Sequence, residues 1–126
     1  MSTVTKKQPA LKKVNQQSFV KVDESKISID ELSNGMLVWF IPEDSGPRTG
    51  LIVKIITKGT QKVDILWQKS GDNYTVRRTS IDRVQGKVQY ENIEKHDLAV
   101  KNFCQRVLKD GANPTGAAIE AANKFI

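Results

Sequence analysis

Cations set among β-forming residues are the part of this sequence whose types and spacing suggest chemistry. Arg77 and Arg78 are adjacent in a β-rich run, and Lys54, Lys62, Lys69 and Arg83 lie in or beside neighbouring apolar runs. Arg48 stands beside Pro47, which with Pro42 brackets a loop. Ammonium and guanidinium groups neutralise phosphates and fix position without reading bases. An exposed aromatic ring beside them adds a platform for single-stranded bases, and Trp39 is the candidate ring. Trp39 has a second reading open to it, as a ring packed beneath C-terminal helices. Arg77 and Arg78 project to opposite faces of one strand, so only one of them can point inward, at a barrel mouth. Lys6-Lys7 and Lys12-Lys13 add two cationic pairs near the start of the chain.

The other reactive side chains do not assemble. His96 is the only histidine, with Asp97 beside it, on a helix face turned away from the apolar stripe, and reads as solvated. Cys104, the only cysteine, falls inside that stripe and reads as a small core residue. One Cys and one His are too few for a clustered metal set, so neither metal nor cofactor is expected. Glu43-Asp44 is the only acidic pair in the β region, and a solvated loop accounts for it. With no activated nucleophile, no acid–base pair and no phosphate-cradling Gly-rich loop, the chain reads as a non-enzyme.

Charge supports contact with an anionic surface. Formal net charge is +6, with +3 in residues 1–30, +3 in residues 31–88 and zero in residues 89–126. Such a balance favours phosphates or an acidic protein surface, although charge of this size also serves solubility alone. No run approaches the ~18 apolar residues a membrane-spanning helix needs. No apolar leader is visible at the N-terminus, so a cytoplasmic or nucleoid-associated location is expected, without secretion.

The elements that must carry these cations occupy residues 34–90. Four β-rich runs, at 36–41, 51–57, 62–67 and 74–79, follow a turn at Asn34-Gly35 and are separated by turn chemistry at the proline loop, Lys58-Gly59 and residues 70–73. In the first run both alternating sets are apolar: Met36, Val38 and Phe40 on one side, Leu37, Trp39 and Ile41 on the other. One set faces a core, and the other must meet the arm, the helices or a partner. Lys54 interrupts five aliphatics, which predicts a bend where the strand changes phase. In the third run Val63, Ile65 and Trp67 share a face. Residues 80–84 read as a short helical turn and residues 87–90 as a closing strand. Before the sheet, Phe19, Val20 and Val22 read as a short strand, and Ile27, Ile29 and Leu32 as a cover for one end of the barrel.

Gly35 followed by Val38, Gly50 followed by Ile52 and Ile55, the Val63/Ile65 pair and the terminal Ile81-Asp-Arg-Val84 together resemble a KOW-type or Tudor-type small barrel of the Src-homology-3-like class. The resemblance spans residues 34–90. A KOW-type barrel implies contact with nucleic acid or polymerase, and with it modulation of transcription. A Tudor-type barrel implies an aromatic cage for methylated Lys or Arg, for which only Trp39, Phe40, Trp67 and Tyr74 are available here.

Beyond residue 90 the period changes to that of a helix. Val100, Phe103, Cys104, Val107 and Leu108 make an apolar stripe, with Asn92 as cap and Gly111 as stop. Asn113-Pro114 reads as the cap and first position of a second helix, whose stripe is Ala118, Ala122, Phe125 and Ile126.

The fold expected is therefore α+β: a small antiparallel Src-homology-3-like β-barrel followed by a C-terminal α-helical hairpin. Its parts are a flexible basic arm (1–17), the barrel (18–90) and a two-helix hairpin (91–126). The function expected is non-enzymatic binding of DNA or RNA backbone by Lys6, Lys7, Lys12, Lys13, Trp39, Arg48, Lys54, Lys62, Lys69, Arg77, Arg78 and Arg83. The alternative is an adaptor or assembly protein, such as a viral structural component, that binds a protein partner or itself through the barrel and helices. Deleting residues 1–17 is expected to weaken nucleic-acid binding and leave folding intact. A collapsed amide spectrum of the truncated protein would contradict the assignment of an arm.

Overall fold

A computed structural model describes residues 27–43 and 45–126. Lys6, Lys7, Lys12, Lys13, the short strand expected at Phe19–Val22, and Asp44 lie outside the described residues. A single 3-10 turn at Ile29–Glu31, capped by the Ser28 hydroxyl, leads into the sheet. The strands are β1 (Leu37–Phe40), β2 (Arg48–Ile56), β3 (Lys62–Ser70), β4 (Asn73–Ser80) and β5 (Val84–Lys87). Helix α1 (Ile93–Val107), the two-residue strand β6 (Asn113–Pro114) and helix α2 (Gly116–Asn123) follow.

The class is α+β, but the sheet is not a closed antiparallel barrel. Its six strands run in the order β5-β1-β2-β3-β4-β6, antiparallel except that β6 runs parallel to β4. The central meander β2-β3-β4 follows from its turns. Ser70 pairs with Asn73 around a two-residue turn in which Gly71 adopts φ +50°. The expected bend is present. Ile52 opposes Ile65 and Lys54 opposes Asp64, so Val53 is the extra residue of a bulge. The expected closing strand lies earlier than residues 87–90, because β1 pairs with residues 84–87. A 3-10 turn at Ile81–Arg83, capped by the Ser80 hydroxyl, delivers it.

The sheet buries both faces. On one, Val38, Phe40, Ile52, Val63, Ile65, Trp67 and Val84 form a cluster with Ile27 and Leu32. Phe40 and Trp67 meet edge to face, centroids 5.4 Å apart. On the other, Leu37, Leu51, Leu66 and Tyr74 pack under Val100, Phe103, Cys104 and Val107 of α1 and the alanines of α2. The helices are what the second apolar set of β1 meets.

Asn92 caps α1 by accepting from the Lys95 amide at 2.9 Å, and Gly111 follows with φ +92°. The second helix starts later than expected. Asn113 and Thr115 donate their backbone N–H groups to Asp72 and Tyr74 carbonyls, so Asn113-Pro114 joins the sheet edge. Thr115 is the cap of α2, accepting from the Ala118 amide at 3.1 Å. Strand pairing outcompeted capping at Asn113 because its side chain also finds Asn73, at 2.7 Å.

Gly50 marks the tightest approach of strands to side chains. A Cβ there would lie 2.3 Å from Ile65 Cγ2 and 3.0 Å from Phe40 Cε1. Gly50→Ala is expected to destabilise the protein by about 1–3 kcal/mol through overpacking. Urea unfolding monitored by tryptophan fluorescence measures it, and an unchanged midpoint would show that this core can shift.

Candidate nucleic-acid interface

The cations do not share one surface. Register places Lys54, Lys62 and Arg78 on the sheet face whose other end is covered by the helices. Arg77, opposite Ile65, lies on the other face, and Lys69 is the extra residue where the β3–β4 register shifts. Lys54, Asp64 and Arg78 stand opposite one another across β2, β3 and β4, and Lys62 lies one step along, opposite Ile56. This open end of the sheet, beside the β2–β3 hairpin, is the candidate phosphate surface.

Two of the expected ligands are ion-paired. Arg78 grips Asp64 with Nε and Nη2, at 2.9 and 3.2 Å, and the carboxylate raises its pKa above the ordinary value. Arg77 reaches Glu43 in the β1–β2 loop at 3.0 Å. With both guanidiniums open to solvent, these pairs redirect a side chain more than they hold the fold. Arg83 ties the 3-10 turn to the end of β1: its Nη1 donates to the Ile41 carbonyl at 3.2 Å, while the Ile41 amide donates to the Arg83 carbonyl. Arg48 donates to the Ser45 hydroxyl at 3.1 Å. Lys54, Lys62 and Lys69 are exposed and form no ion pair among the described residues.

Trp39 is not a stacking platform beside these cations. Its ring is half-buried against the helix-covered cluster, with its indole N–H enclosed and unpartnered among the described residues. The reading of Trp39 as a packed ring is the one the fold adopts, since α1 and α2 cover that end of the face.

His96 is likewise not a solvated side chain. Its Nε2 accepts from the Leu37 amide at 3.5 Å, its Nδ1 faces Asp97, and Tyr90 packs edge-on against the ring. It fastens the start of α1 to the start of β1 beside a cleft of about 440 Å³. No three His, Cys, Asp or Glu side chains gather as a metal set among the described residues.

Two cations escaped the sequence reading. Lys58, in the β2–β3 turn, is exposed between Lys54 and Lys62. Its position inside a Lys-Gly turn was the available signal. Arg106 lies in a stretch of zero net charge, and helical i, i+3 spacing sets it over the Phe103 ring, 5.4 Å from the centroid.

Charge within the fold is uneven. Residues 48–80, spanning β2 to β4, carry seven Lys/Arg against two acids, whereas residues 27–47 carry four acids and no base. Residues 1–26 add six lysines against two acids. No protein family, curated protein or solved structure matches the chain.

Cys104 is fully buried, and burial pushes its thiol up to about 11. Alkylation by iodoacetamide should therefore stay slow in the folded protein at pH 8–9 and become fast in denaturant. Rapid native-state labelling would show that α1 lifts off the sheet.

Proposed function

We propose that this chain is a non-enzymatic nucleic-acid-binding protein that contacts DNA or RNA backbone through the open, cationic end of the β2–β4 meander, with the N-terminal lysines as a second contact. The observation that carries the reading is the excess of five positive charges on residues 48–80, where Lys54, Lys58 and Lys62 cluster without carboxylate partners among the described residues. Ammonium groups at the open end of the sheet suit a phosphate array, and they supply affinity without base selection. A KOW-like, Src-homology-3-like framework in an open form is part of the proposal. It is supported by the order β5-β1-β2-β3-β4, the bulge that bends β2 and the 3-10 turn between β4 and β5. On this framework a role in modulating transcription is the natural setting.

One observation favours the adaptor reading. Leu98 is 57% exposed on the side of α1 away from its buried stripe, and it borders a mainly apolar cleft of about 660 Å³. The inner faces of both helices are occupied by the sheet, so a protein partner would use this outer face.

Fluorescence anisotropy with a short duplex and a short single strand, titrated with salt, tests the nucleic-acid reading. The log–log salt slope should fall by about two units for Lys54→Ala/Lys62→Ala, about one per lost phosphate contact. Stability should stay within about 0.5 kcal/mol of the parent. Absence of binding at low salt, or a slope unaffected by the double change, would end the proposal and favour the adaptor.

A further inference from the structure

The outer edge of β4 is only partly covered. Strand β6 pairs with Asn73 and Tyr74 alone, and no strand lies beyond residues 75–80 among the described residues. The Thr115 amide donates to the Tyr74 carbonyl, so Tyr74 turns its backbone groups outward, away from β3. Backbone direction alternates along a strand, so Val76 and Arg78 turn theirs outward as well. Their N–H and C=O groups have no partner among the described residues, whereas those of Thr75, Arg77 and Thr79 face β3. Val76 is half-buried and Arg78 exposed, so the edge is open to solvent.

We infer that this edge binds an extended acidic segment of another protein by strand addition. Main-chain bonds to Val76 and Arg78 supply the attachment. Arg77 and Arg78 project to opposite faces beside it, so two consecutive acidic residues in the added strand, one per face, meet one arginine each. Arg78 uses its Nε and Nη2 on Asp64 and Arg77 its Nη2 on Glu43, which leaves Nη1 donors on both. Charge selects the occupant. Residues 48–80 carry seven Lys/Arg against two acids. A second copy added by two-fold pairing of Val76 with Arg78 brings the two copies of Arg77 face to face, and like charges directly opposite destabilise a sheet. Cations on an open edge therefore block pairing between like chains and favour an acidic one. The contact is made by the backbone of β4, not by the ammonium groups of Lys54, Lys58 and Lys62, so the inference does not rest on the nucleic-acid reading.

The test is an amide-detected titration of the full chain with a capped hexapeptide, two central glutamates flanked by valines and then by threonines. In the free protein the Val76 and Arg78 amides should exchange with solvent near the rate of an unstructured chain, while those of Thr75, Arg77 and Thr79 stay protected. The peptide should shift and protect Val76 and Arg78. Methylating alternate peptide nitrogens should abolish binding in one phase and spare it in the other, because only every second N–H of an added strand faces the sheet. A peptide with lysines in place of the glutamates should bind about tenfold more weakly or worse. Val76→Pro removes an N–H that the ladder to β3 does not use, and should weaken binding about tenfold or more. Because Val76 also packs against the helix-covered cluster, Arg78→Ala is the second variant, expected to weaken binding about two- to fivefold. Protection of Val76 and Arg78 in the free protein would show the edge already filled, by residues 1–26 if independent of protein concentration and by a second copy if it grows with concentration. Either result overturns the inference. So do equal binding of the lysine peptide or of both methylated forms, shifts confined to Lys54, Lys58 and Lys62, and no binding at millimolar peptide.

Discussion

A sheet whose central strands are apolar on both sides must be covered twice, and the rest of this structure answers that demand. Val38 and Phe40 of β1 cannot leave water without Leu37 and Trp39 being presented on the reverse. The first pair closes with Ile52, Ile65, Trp67 and Val84, under Ile27 and Leu32. The second is closed by the stripe on α1 and by Ala118, Ala121 and Ala122 of α2. Small residues on α2 let the helix approach the sheet, and removal of apolar area from water on two faces supplies the driving force. The helices are therefore a second half of the core, joined to the sheet through one contiguous cluster.

The same double coverage decides where charge can go. One end of the second face lies under helices, so cations there are excluded. Those at the other end, Lys54, Lys62 and Arg78, stay in water around Asp64. The proposed phosphate surface is thus what remains of a sheet face after the helices have taken their share.

Local patterns were legible where one period dominated. Alternation assigned Val63, Ile65 and Trp67 to one face, and the intrusion of Lys54 among aliphatics located the β2 bulge. Asn92 and Gly111 marked the ends of the first helical region. Patterns failed where two local signals competed. Asn113-Pro114 has the chemistry of a helix start, yet the free edge of β4 offered backbone partners at that point. The closing strand was misplaced because residues 84–87 carry only Val84 as a large apolar residue, and the free edge of β1 set the pairing there.

Spacing along the chain was sufficient to specify the α+β class, the meander, the amphipathic helix and the buried thiol, because each depends on residues within a few positions of one another. The fate of Trp39, the pairing of Arg77 with Glu43 and Arg78 with Asp64, and the anchoring of His96 on β1 were decided only in three dimensions. Each joins groups on separate elements, and electrostatic or packing partners are chosen by distance in space. A charge count along the chain records how many cations exist, while the fold determines which of them still face water unpaired.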